Sequence, residues 1–344
     1  MPESFFELSQ KDQREALEYV RAETGRPAHL LEKDIWVVWA LRTLFETAIG
    51  IDLTFKGGTS LSKVYRVIDR FSEDIDLTYN IRKLIPDLIG AGGELPLSRS
   101  QAGKWTKAVR HRLPEWITTN IQPVIETALA KESLKARPEL GGKDNDKLLL
   151  HYPPLAEGTG YIAPVVTLEF GGRATGEPHE TYSVECDIAE QLTEMTFPTA
   201  SPQVMSLTRT FWEKATAAHA FCVQGRIRGE RYARHWHDLA AISRSQHFAT
   251  AISDHAVALT VAQHKSHFFI EKDKDGRTID YIAAISGQLA IVPEGTAKTA
   301  LAQDYAAMLA DKVMVGDALP FEELLSACDY LQKQANETLI AARS

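Results

Sequence analysis

Apolar positions in the first fifty residues recur twice at helical spacing. The run SQKDQREALEYVRAET ends at Gly25-Arg26-Pro27 and predicts a helix capped by Ser9. A second helix is predicted from about Ala28, with Trp36, Val37, Ala40, Leu41, Leu44 and Phe45 as its core-facing stripe. The period then changes to two. IDLTF alternates into Lys56-Gly57-Gly58, a strand ending in a turn; TSLSKVYRVIDR reads as a helix with Thr59 or Ser60 at its cap, and DIDLTY as a second strand. KLLLHYP and APVVTLEF read as strands joined by the loop PLAEGTGYI, and TYSVECDI as another. Between them, residues 81–147 are rich in Gly, Pro and basic residues around a helical middle, carry no readable motif, and are taken as an insertion. From Thr208 onward the pattern is helical, in RTFWEKATAAHAFCV, RYARHWHDLAAIS and LPFEELLSACDYLQKQANETL. The expectation is an α/β half followed by a helical half, divided near residue 200.

Composition narrows the class. At 344 residues, 44% apolar and 24% charged, the chain is long enough for two cores. A net charge of −8 argues against non-specific coating of nucleic acid, which rests on neutralising phosphates, but leaves room for a local basic groove. Cys186, Cys222 and Cys328 are odd in number and far apart, so neither a disulfide framework nor a Cys-x-x-Cys metal site is expected. The opening Met1-Pro2-Glu3-Ser4 lacks signal-peptide character and no run suits a membrane helix, so a cytoplasmic location without membrane partners is expected.

Candidate chemistry starts with DIDL. Strand alternation puts Asp74 and Asp76 on one face and Ile75 and Leu77 on the other, so the two carboxylates can chelate together. Oxygen ligands of this kind suit Mg²⁺, which takes one or two carboxylates plus substrate phosphates. An exposed acidic strand face is the plainer reading of Asp-x-Asp alone. Fifteen residues separate Gly58 from Asp74, and the preceding Gly57-Gly58-Thr59-Ser60 lets backbone N–H groups approach an anion at a helix start, as a triphosphate requires. Turn and carboxylates lie on consecutive strands and can meet at one sheet end. Glu169, near the end of an apolar strand, is a candidate third acid for a two-metal site, because a carboxylate there is costly unless paired or coordinated. Arg173 is a triphosphate candidate, with a surface salt bridge the equal alternative. His235 and His237, at i and i+2, face different sides of a helix, so no metal triad with Asp238 is expected. Arg226, Arg228, Arg231 and Arg234, with Lys104, Lys107, Arg110 and Arg112, are candidates for RNA-backbone contact against the plainer reading of solvated helix faces.

The strand, Gly-Gly turn, helix and Asp-x-Asp with a later acid resemble the DNA polymerase beta-type nucleotidyltransferase superfamily. The wording KGGTSLSKVYRVIDRFSEDIDL is similar to the AbiEii/AbiGii toxin family, which includes the MenT tRNA-modifying toxins. The likeness continues through LEKDIWVVWAL, LLLHYP, VVTLEFGGRATGEPHE, LTRTFWEKATAAH, RYARHWHDLAAI and HKSHFF. It implies an α/β (α+β) fold: a mixed-sheet nucleotidyltransferase domain over 1–200, then a mainly helical domain over 201–344. It also implies that Lys214 of RTFWEK binds the nucleoside triphosphate and that Asp238 of RHWHDL is needed for activity. Read by themselves, these two are an exposed helical Lys and an ordinary surface Asp.

Together these readings lead to a Mg²⁺- or Mn²⁺-dependent nucleotidyltransferase that moves a nucleoside monophosphate from an NTP to an acceptor hydroxyl, releasing pyrophosphate. By resemblance it is the toxin of a toxin–antitoxin or phage-defence pair, with a cognate antitoxin and the tRNA 3′ end as acceptor. Asp74, Asp76 and Glu169 would hold the metals; Gly57, Gly58, Thr59, Ser60, Lys214 and Arg173 would hold the triphosphate; Glu169 is placed to accept the hydroxyl proton, and Asp238 to orient Lys214 or a metal. The alternatives are a non-catalytic nucleotide-binding protein and transfer to a protein hydroxyl. A glycosyltransferase lacks the expected strand–helix alternation before Asp-x-Asp.

Overall fold

The computed structural model describes residues 2–72, 74–89, 95–156, 163–226, 231–310, 314, 316 and 318–342. The chain forms two compact units, one of Met1–Val64, Phe71–Gly90 and Lys107–Met205, the other of Tyr65–Arg70, Ala91–Thr106 and Ser206–Ser344. In chain order the strands are β1 (Glu3–Ser4), β2 (Leu53–Lys56), β3 (Asp74–Tyr79), β4 (Arg137–Gly141), β5 (Lys147–His151), β6 (Val165–Gly171), β7 (His179–Thr181), β8 (Val184–Glu185), β9 (Met195–Thr196), β10 (Thr199–Ala200) and β11 (Gln203–Met205). All belong to the first unit.

That unit is built on a seven-stranded mixed sheet in the order β4-β5-β6-β3-β2-β11-β7. β3 is antiparallel to β2 and parallel to β6, while β5 is antiparallel to both β4 and β6. The first two helices are α1 (Gln10–Thr24) and α2 (Ala28–Phe45). The Ser9 hydroxyl accepts the Asp12 N–H, and Gly25 closes α1 at φ +73°, a left-handed conformation that suits glycine. α2 is buried nearly all round rather than along one stripe, with Trp36 and Trp39 in the core. Its inward polar groups are satisfied: Glu32 accepts the N–H groups of Leu155 and Ala156, and Lys33 donates to the Ala163 carbonyl.

Three sequence expectations change. The helix after the glycines, α3, covers only Gly57–Lys63, with Lys56 as its cap position and no side-chain cap; neither Thr59 nor Ser60 caps it. TYSVECDI is two strands with different partners, β7 on β11 and β8 on β10. The stretch 81–147 holds α4 (Ile81–Leu84), α5 (Arg99–Trp116) and α6 (Gln122–Lys131), but β4 is an edge strand of the main sheet. Its alternation was hidden by Pro138 and Gly141, residues that an edge strand tolerates. The loop PLAEGTGYI falls largely outside the described residues.

The second unit contains α7 (Leu207–Gln224), α8 (Ala233–Ser243), α9 (Phe248–Ser253), α10 (His255–Phe268), α11 (Tyr281–Ala283), α12 (Gly295–Ala310) and α13 (Phe321–Ala341). α7 packs on α8, α9 and α10, and α13 on α8 and α9. Buried Trp212 and Trp236 donate their indole N–H groups to the carbonyls of Ala251 and Ile291, at 3.0 and 2.7 Å, so both rings fill the core without an orphaned donor. Among the described residues no helix is long and apolar enough to cross a membrane.

Candidate active site

Sheet register assembles the first group of residues. Lys56 faces Asp76 across β2 and β3, Asp76 faces Glu169 across β3 and β6, and Glu169 faces Lys147 across β6 and β5. A row with a lysine at each end and two acids between them, Lys–Asp–Glu–Lys, therefore crosses four neighbouring strands on one face. Asp74 lies on the same face, two residues before Asp76 and opposite Thr167. Ile75 and Leu77 are fully buried on the other face, and this burial holds the register, since a one-residue slip would turn every carboxylate into the core.

Lys147, like Lys56, is a member to which the sequence alone assigned no role. Its ammonium donates to Glu169 Oε2 at 2.6 Å. Burial works against that charge, but the hydrogen bond and charge of Glu169, with Asp74 and Asp146 behind them, outweigh it, and the Lys147 pKa lies above its ordinary value. Nothing local in KLLLH marks this lysine; only strand pairing brings it to Glu169.

The glycine turn touches the same carboxylates. Gly57 sits at φ +80°, and a Cβ there would collide with the Asp76 carboxylate. Gly58, Thr59 and Ser60 are buried. Thr59 donates its hydroxyl towards the carbonyls of Ser72 and Asp74, and Ser60 donates to the Gly57 carbonyl at 2.9 Å. Thr59 thus fastens the turn to the start of β3 and Ser60 closes the turn on itself, which leaves the backbone N–H groups of the first turn as its anion donors.

Below the turn, Lys63 is buried and pairs with Asp34 at 2.6 Å and Asp187 at 2.8 Å; the Asp187 N–H also donates to Asp34. Arg26 completes the cluster on Asp187, at 2.5 Å. This network anchors α3 to α2, and the sequence reading assigned it nothing. Arg173 is half-buried; burial and the neighbouring charge of Arg110 hold its pKa below the usual guanidinium range, partly offset by Asp146. With Arg110 near enough for its charge to act on Arg173, the two guanidiniums form a ready electrostatic partner for an anion. Arg112 pairs with Asp87 through both guanidinium nitrogens.

Lys214 and Asp238 belong to the second unit, on α7 and α8. Asp238 is fully buried, not a surface residue. It accepts two parallel hydrogen bonds from Arg70, each 2.8 Å, and pairs with Lys214 Nζ at 2.9 Å. Burial alone would raise the Asp238 pKa; the charges of Arg70 and Lys214 outweigh it and hold the carboxyl well below the usual range. Lys214 is correspondingly enclosed, its side chain only 12% exposed. His237 Nδ1 lies 3.2 Å from Asp238, whereas burial lowers the His235 pKa to about 3 and keeps that ring neutral. Of the arginines suggested for RNA contact, Arg228 lies outside the described residues.

Oxygen donors are what the first unit presents to a cation. Among the described residues no three acids, histidines or cysteines converge as a ready-made metal cluster, and Glu169 is neutralised by Lys147. The paired Asp74 and Asp76 still fit Mg²⁺, because that ion completes its shell with water and substrate phosphates rather than with an all-protein cage.

Comparison with known proteins agrees on the kind of molecule. A model of the family described as nucleotidyl transferase AbiEii toxin, type IV TA system, matches residues 39–327. Among solved structures the chain is similar to MenT4, a nucleotidyltransferase toxin from Mycobacterium tuberculosis H37Rv, at 17% identity over 97% of this chain and 99% of that one, with a TM-score of 0.44. It is also similar to JHP933 from Helicobacter pylori, at 12% identity over 90% of this chain and 92% of that one, with a TM-score of 0.40. No curated relative matches the chain.

Proposed function

Since the chain belongs to the AbiEii nucleotidyltransferase toxin family of type IV toxin–antitoxin systems, and so has a cognate antitoxin, we propose that it transfers a nucleoside monophosphate from an NTP to an RNA hydroxyl, most readily the tRNA 3′ end. The observation that carries this reading is the cross-strand row of Lys56, Asp76, Glu169 and Lys147 with the Gly57 turn packed on Asp76. Asp74 and Asp76 would hold Mg²⁺ or Mn²⁺ beside the triphosphate. Bound there, the ion supplies charge neutralisation at the phosphates and the leaving pyrophosphate. The N–H groups of the Gly57 turn donate to phosphate oxygens, and Arg173, beside Arg110, adds positive charge.

Glu169 would accept the proton of the attacking hydroxyl as the new O–P bond forms and the bond to pyrophosphate breaks. Its hydrogen bond from Lys147 holds the carboxylate oriented, and the charge of Lys147 remains available to the pentavalent phosphate. Lys214 is assigned to triphosphate binding by resemblance, and Asp238 holds its ammonium in place.

The test is transfer itself. Incubating the protein with labelled NTPs, Mg²⁺ and total RNA should place label in RNA, and Asp76→Ala should lower the rate by about 10²-fold or more, as loss of a charge-stabilising group in a preorganised site does. Nucleotide binding with no labelled product would sink the reading; label in protein instead of RNA would redirect the acceptor.

A further inference from the structure

The second unit contains a cavity of about 460 Å³ that the transfer site does not use. Its size falls in the range of small-ligand pockets. Tyr65, Arg66 and Asp69 line it from the segment after α3, His237 and Arg244 from α8 and its end, and Gln246 and His247 from the turn that follows. Met314, Leu319 and Leu324 provide its apolar side.

Three kinds of recognition meet there. Among the described lining residues, Arg66 and Arg244 are two exposed guanidiniums and Asp69 is the carboxylate, a local set richer in cations than in acids on a chain whose net charge is −8. Arg244 spends its Nε–H on the Ala240 carbonyl at 3.2 Å, and its Nη groups have no partner among the described residues. Arg66 is held at φ +50°, a left-handed backbone conformation uncommon for a long side chain. Tyr65 and His247 stand nearly perpendicular, at 76° with centroids 6.1 Å apart, and form an aromatic corner against which a planar ring can stack.

The third kind is edge recognition by hydrogen bonds. The Gln246 amide makes no hydrogen bond among the described residues and offers both donor and acceptor. His237 turns Nδ1 to Asp238, which leaves Nε2 as its remaining polar atom at the pocket. Cationic rim, aromatic corner and amide edge match phosphate, base plane and base edge in turn.

We propose that this cavity is a nucleoside-phosphate site, taking a free nucleoside monophosphate or one nucleotide of an RNA strand. The phosphate meets Arg244 and Arg66, the base stacks at Tyr65 and His247, and Gln246 reads its edge. Binding there needs neither Asp74 and Asp76 nor a divalent ion. It is therefore separable from transfer by chelation.

The full-length protein in EDTA is titrated with AMP, GMP, CMP and UMP, with a short single-stranded RNA, and with inorganic phosphate. Saturable binding of a nucleoside monophosphate or the RNA is expected, unchanged in Asp76→Asn. Arg244→Glu should weaken it by about tenfold or more, the loss expected when a hydrogen bond to a charged group is removed and replaced by repulsion. Gln246→Ala, also at an exposed position, should change the preference among the four bases. RNA binding well above monophosphate binding assigns the natural source to RNA, and the reverse assigns it to free nucleotide. No saturable binding by any of these compounds, binding untouched by both variants, or equal binding of inorganic phosphate would overturn the proposal. With Mg²⁺-dependent transfer persisting in such a case, the pocket alone is refuted.

Discussion

Gly57 shows how much one missing side chain can decide. Its φ of +80° and the Asp76 carboxylate in the space of its absent Cβ make two separate demands for glycine. Gly57→Ala should destabilise the protein by about 1–3 kcal/mol, the usual cost of a strained backbone position, and push Asp76 out of line. Urea unfolding and the labelled-transfer assay read the two effects, and a variant with normal stability and rate would refute this role. Asp238 makes a pH prediction. Its folded pKa is depressed below the ordinary 3.8, so its contribution to stability is present above that value and is lost as pH falls towards the folded pKa. Comparing thermal melts of the wild type and Asp238→Asn, the wild-type advantage should be constant near neutrality and shrink below about pH 4. An advantage that grows in acid would contradict the sign.

At the scale of elements, α3 is a short helix held at both ends. Thr59 ties its first turn to β3, and Lys63 ties its last to Asp34 of α2 and to Asp187. Seven residues are too few for a helix to be stable through its own hydrogen bonds, so these tertiary ties set its position. Lys63→Met removes one partner of a buried pair and leaves Asp34 uncompensated, which should cost about 3–5 kcal/mol. Urea denaturation measures it; a cost below about 1 kcal/mol would show that Arg26 and solvent suffice for the two acids. The periodicity of SLSKVYRVIDR predicts helix through Arg70, yet the helix ends at Lys63. Arg66 takes a left-handed conformation, and Arg70 is drawn to Asp238 and to a bridge with Met314. Local periodicity favoured continuation, and long-range pairing overrode it.

For the molecule as a whole, charge satisfaction predicts what metal removal does. Glu169 is already paired with Lys147, and Asp238 with Arg70 and Lys214, so neither acid depends on a cation for its neutralisation. EDTA should therefore abolish transfer while shifting the melting temperature by less than about 2 °C, equivalent to under about 1 kcal/mol. A large loss of stability on chelation would mean a structural metal. The type IV toxin class implies that an antitoxin accompanies this activity in the cell.

Amino-acid pattern alone determined the elements with strong periodicity and the parts of the site that lie close in sequence. The alternation of IDLTF and DIDLTY predicts two strands, and with a period of two Asp74 and Asp76 must share a face. The glycine turn was legible because few residues tolerate such a backbone. Pairing partners were not legible: Lys147 meets Glu169 through sheet register, Lys63 of α3 meets Asp34 of α2 across 29 residues, and Arg70 meets Asp238 across 168 residues. Periodicity specifies which way a side chain points from its own backbone. What it points at depends on which other segment is buried against it, and that choice is made only when the whole chain folds.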